Sequence, residues 1–150
     1  MQAVSQWTSI ISSFRAGREN KVMNGRIPIP EVSPLIRKYV EENILPVYDG
    51  YDKAHSRSHI LSVIRQSMDL YRRLSAGQMD GGRRYDLDPD MIYVIAAYHD
   101  IGICEGRESH HLSSGRMLEE DVRLKQWFTA EQIQVMREAV EDHRSSSKSW

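Results

Sequence analysis

The chain has 150 residues, with 20 Lys+Arg against 21 Asp+Glu and a net charge of -1. That length suits one domain with a sizeable core, and the balanced charge removes any electrostatic case for a nucleic-acid polymer or an anionic membrane surface. Cys104 is the single cysteine, which excludes an internal disulfide, and neither a signal-peptide pattern nor an apolar run of about 18 residues is present. A soluble, cytoplasmic protein without a membrane partner is expected.

Residues 1–32 read as an N-terminal extension, with a peripheral helix over 1–17 and a loop at "MNGRIPIPEVSP". Residues 33–150 read as one helical domain. In "SPLIRKYVEENILPVY", Ser33 and Pro34 suit the N-cap and first turn. Leu35, Ile36, Tyr39, Val40 and Ile44 then form a stripe at helical spacing. A second helix is expected at roughly 56–75, with Gly77 near its end. The loop "QMDGGRRYDLDP" leads to Asp88 and Pro89, which open the third helix, "DPDMIYVIAAYHDIG". That helix is apolar on nearly every side, as a central buried helix would be, and Gly102 is placed to close it. A short helix follows near 109–121. Thr129 and Gln132 fit a capping box for a last helix over about 130–144, and the closing "RSSSKSW" is expected to fray. No alternating strand pattern of useful length occurs, so the fold class is all-α.

The chain has 6 histidines, all at or after position 55: His55, His59, His99, His110, His111 and His143. His59 shares a helix face with Val63 and Leu70, His99 with Ile92 and Ile95, and His143 with Met136 and Val140. Three helices thus each aim an imidazole at the apolar interior, and Asp100 stands beside one of them. A lone core histidine is ordinarily satisfied by a hydrogen bond. Several crowded together are costly unless a cation is present, and a divalent metal binds neutral imidazoles and takes a carboxylate for charge balance. A plain bundle with core histidines is the alternative, and it needs no metal. "HSRSH" places two histidines one turn apart, but Ser56 stands where a zinc protease requires a glutamate, so that reading is rejected.

The order H, HD, H, H, carried by "YDKAHSRSHILSVI", "VIAAYHDIGI", "GRESHHLSSGRMLEED" and "AVEDHR", resembles the HD-domain superfamily of metal-dependent phosphohydrolases over residues 51–144. The resemblance implies a single HD-domain-like helical bundle. It makes His59 and His99 metal ligands and Asp100 a ligand able to bridge two metals. It selects His110, four residues before the small pair Ser114-Gly115, with His111 as its competitor. His143 resembles the next ligand. The family pattern closes with an Asp on a later helix, which has no counterpart after His143, so the domain is expected to lack the C-terminal helix that carries it.

One or two divalent ions are implied, Mn, Fe or a similar first-row metal, with Mg admitted. They would activate water against a nucleotide or other small phosphate ester, with Asp100, His110 and His143 in the catalytic group. Phosphomonoesterase, phosphodiesterase and pyrophosphohydrolase activities all remain open. The expected partner is a small phosphorylated substrate, and a homodimer is admitted. Arg107, Arg144, His55 and His111 are candidate substrate contacts, each weighed against a solvated surface role, and Arg116 is read as solvated. Glu105 is read as an exposed loop acid or a water-orienting group, and Cys104 as a small buried apolar residue. The alternative function is a catalytically weak or inactive HD domain that binds a nucleotide or a protein.

Overall fold

The computed structural model describes residues 29–148, with side chains described through Asp142. Among the described residues there are helices and turns but no strand. No described helix is long and apolar enough to cross a membrane. The core begins before the expected boundary at 33: Ile29 and Val32 are buried, and Glu31 takes Arg72 Nε at 2.6 Å and Nη2 at 3.0 Å.

Helix α1 spans Pro34–Tyr39. Ser33 does not cap it with its side chain, contrary to expectation. Its backbone N–H donates to Asp90 Oδ1 at 2.8 Å, which ties the start of α1 to a distant part of the chain. The chain continues as a π turn, Val40–Ile44, and a 3-10 turn, Leu45–Gly50. Pro46 accounts for the change, because it has no N–H to offer the Glu42 carbonyl and its ring would strike that group. The irregular turns keep Ile36, Val40, Ile44, Leu45 and Tyr48 buried.

Helix α2 spans Arg57–Ser75 and α3 spans Pro89–Tyr98. Asp88 caps α3 as expected, its carboxylate accepting from the Asp90 N–H at 2.9 Å. Every residue from Met91 to Tyr98 is buried, so α3 is the central helix. It packs against α2, α4 (His110–Glu120) and α5 (Ala130–Lys148). The capping box before α5 is reciprocal: Thr129 N–H donates to Gln132 Oε1 at 2.9 Å and Gln132 N–H to Thr129 Oγ1 at 3.1 Å. The α5 backbone is helical to Lys148, past the expected end at about 144. No Gly or Pro interrupts 130–148.

Gly102 also has a different role from the one expected. Helix α3 ends at Tyr98, and Gly102 lies inside the 3-10 turn Ile101–Glu105. Its function there is close approach. A Cβ at this position would lie 2.5 Å from Ser114 N and 2.7 Å from the His110 carbonyl oxygen, so only glycine lets the turn sit against the start of α4.

Candidate metal centre

Four side chains from three helix ends converge. His59 comes from the first turn of α2, His99 and Asp100 leave the C-terminal end of α3, and His110 opens α4. Asp100 lies between the imidazoles. Its Oδ2 is 3.2 Å from His99 Nε2 and 3.8 Å from His59 Nε2, while its Oδ1 is 3.1 Å from His110 Nε2. His59, His99 and Asp100 each offer a ligand atom within 4.8 Å of the others, and this group could hold a metal ion. His99, Asp100 and His110 are buried, whereas the His59 side chain is 38% exposed. The centre therefore opens to solvent on the His59 side.

Two of the rings are oriented in the same way. His99 Nδ1 lies 2.7 Å from the Ala96 carbonyl oxygen and His110 Nδ1 lies 2.8 Å from that of Arg107. A carbonyl only accepts, so each Nδ1 carries the proton. In a neutral ring Nε2 then presents a lone pair toward Asp100. Lone pairs and a carboxylate facing one another repel unless a cation lies between them. This donor set fits a divalent metal, and the bonds to Nδ1 are of the kind that fix ligating imidazoles.

The turn bearing His99 and Asp100 is held from the other side by tyrosines. Tyr48 OH donates to the Ala97 carbonyl and Tyr51 OH to the Ile101 carbonyl, each at 2.6 Å. Tyr98 OH and Tyr39 OH both donate to Asp121 Oδ2, at 2.5 and 2.7 Å. Burial pushes the Tyr48, Tyr51 and Tyr98 hydroxyls above the ordinary tyrosine range, so they stay protonated as donors. Tyr98 is buried as a helix-packing aromatic.

The small pair Ser114-Gly115 has a physical role. Ser114 Oγ accepts from the Gly102 N–H at 2.8 Å, which ties α4 to the turn after Asp100. A Cβ on Gly115 would meet Glu141 Cγ at 2.7 Å, so glycine lets α5 come close. These contacts set the first turn of α4 so that His110 faces Asp100. His111 is partly buried next to it, its ring centre 6.2 Å from that of His110.

The other candidate residues lie around this group. His55 sits with its ring 6.3 Å from that of His110, and its Nδ1 is bonded to Asp52 Oδ1 at 2.8 Å. Arg107, from the loop before α4, bonds the other oxygen of Asp52. The hydrogen bond from His55 is the chief reason the Asp52 carboxyl lies below its usual range. Asp52 was not singled out from sequence, and its position three residues before His55 in a turn is the one local signal for it. Glu105 is an exposed loop acid engaged by Arg116, which holds its carboxyl below the usual range. Arg116 also reaches Glu120 at 3.3 Å. Cys104 is exposed rather than buried, because the 3-10 turn places it outward beside Glu105. His143 and Arg144 belong to α5, and their side chains lie outside the described residues.

Comparison of the chain with protein-family models, with curated proteins and with solved structures finds no match.

Proposed function

We propose that the chain is a metal-dependent phosphohydrolase of the HD-domain type, acting on a nucleotide or another small phosphate ester. The observation that carries this reading is the two-sided use of Asp100: one oxygen faces His59 and His99, and the other faces His110. A carboxylate so placed suits a pair of cations, with His59 and His99 on one side and His110 on the other. Imidazoles mixed with a carboxylate favour Mn²⁺, Fe²⁺ or a similar first-row ion over Mg²⁺.

Bound divalent ions supply Lewis acidity and a water acidic enough to ionise near neutral pH. The chain's own residues do the remaining work. His99 and His110, held at Nδ1 by backbone carbonyls, keep their Nε2 atoms aimed at one spot. Tyr48, buried, and Tyr51, partly buried, hold the Asp100 turn from behind through the Ala97 and Ile101 carbonyls. The His59 side, the open one, is where an ester approaches, and His55 lies on that rim within reach of His110.

The test is elemental analysis of protein purified without chelator, with turnover of a generic phosphate ester, in the native chain and in His99→Ala. About two ions per chain and hydrolysis, both lost in the variant, support the proposal. Bound metal without turnover of any mono-, di- or pyrophosphate ester would favour a binding module instead. A chain that takes up no Mn²⁺ or Fe²⁺ would sink the metal site and the hydrolase with it.

A further inference from the structure

Arg107 acts at both of its ends. Its backbone carbonyl holds His110 Nδ1 at 2.8 Å, and its guanidinium bonds Asp52, the carboxylate that also holds His55. The guanidinium therefore stands one residue further out than His55, on the rim and not inside the group around Asp100. Its side chain is 72% exposed and that of Asp52 is 39% exposed. An ion pair so open to water contributes little, so it is a poor candidate for a brace. It does keep a planar, charged fork parked beside the opening of the centre. A phosphoryl group offers that fork more charge and paired acceptor oxygens, so exchanging Asp52 for phosphate is favourable once a phosphate is delivered to the rim.

We infer that Arg107 is a specificity-determining residue that releases Asp52 to take a second phosphoryl group lying outside the one bound at Asp100, so that the site prefers diphosphates to monophosphates. This rests on the phosphate-site reading above. A group held at the centre leaves its outer neighbour pointing toward the rim, where Arg107 is the cation next to His55. Asp52 competes for the same fork. Removing the charge of Asp52 and removing the charge of Arg107 should then act in opposite directions, whereas a brace would be damaged by either change in the same direction.

The experiment is calorimetric titration of the Mn²⁺-loaded chain with a nucleoside 5′-monophosphate and the matching 5′-diphosphate, with metal content checked after each titration. The quantity read is the ratio of the two Kd values. The native ratio should favour the diphosphate by about tenfold, the worth of one charge-assisted contact. Arg107→Gln should bring the ratio close to one. Asp52→Asn keeps an oxygen for His55 Nδ1 but loses its hold on Arg107, so it should raise the diphosphate preference. A native chain that binds the monophosphate but shows no preference, or an Asp52→Asn variant that loses preference as Arg107→Gln does, overturns the inference and leaves the centre intact. A native chain that binds neither nucleotide overturns the phosphate-site reading and the inference together.

Discussion

Two carboxylates flank the end of helix α3, and they are used in opposite ways. Asp121 accepts from two phenols, Tyr39 and Tyr98. Every donor there points at the acid, and each hydroxyl is neutral, so the arrangement is complete within the chain. Asp100, two residues from Tyr98, faces three imidazole Nε2 atoms. Two of those rings have already spent their Nδ1 protons on backbone carbonyls. In neutral rings those Nε2 atoms and the acid all offer lone pairs, and His59, His99 and Asp100 form a group that could hold a metal ion. Asp100 is buried and Asp121 partly buried, and what most separates them is the direction in which their neighbours' protons point.

The largest expected effect tests the cation. Asp100→Ala should weaken binding of Mn²⁺ by about a thousandfold or more, since removing a bridging charge costs upwards of 4 kcal/mol, as read by competition with a metal-sensing dye. Chelator should lower the thermal midpoint of the native chain by roughly 5–10 °C and leave that of Asp100→Ala unmoved. Equal affinity in the two proteins would erase the distinction between the acids.

Asp121→Ala should behave in the converse manner. It strands the buried Tyr98 hydroxyl, which costs about 1–3 kcal/mol, as measured by urea unfolding, and the metal should remain bound. Metal loss without destabilisation would show that the Asp121 bracket belongs to the centre.

The smallest effect is seen at alkaline pH. The Tyr39 hydroxyl is pushed up to about 12 from the ordinary 10.0, first by desolvation and then by its bond to Asp121. A tyrosine whose folded value is raised contributes stability that is whole below pH 10 and is lost as pH rises through about 12. The unfolding midpoint should fall across that window in the native chain, and less so in Asp121→Asn, where the acceptor carries no charge.

Much of the centre could be read from spacing. His59 and His99 fall on helix faces that periodicity locates, with Asp100 next to His99, whereas the choice of His110 through Ser114-Gly115 comes only from the family resemblance; the structure gives that pair a physical role in close approach. The long-range hydrogen bonds could not be read in this way. Tyr39 and Asp121 are 82 residues apart and Tyr48 and Ala97 are 49 apart, and no local pattern pairs them. The bond from the Ser33 N–H to Asp90, 57 residues further on, is of the same long-range kind. Pro46 was visible in the sequence, but its effect on the helix before it depends on the apolar stripe staying inward through a π turn. Asp52 was obscured by its exposure, because an acid in a polar turn looks like any other until Arg107 arrives from 55 residues away.

The two imidazoles that face Asp100 from α3 and α4 are each steered by a carbonyl three residues upstream, at Ala96 and Arg107. A carbonyl is common to all residue types, so no side-chain replacement at either place removes the steering group itself. Sequence drift can pass through positions 96 and 107 without turning the rings, provided the backbone keeps its course. The aim of the two rings is inherited from chain geometry, and the small contacts of Gly102 and Ser114 that hold that geometry are where drift would first be felt.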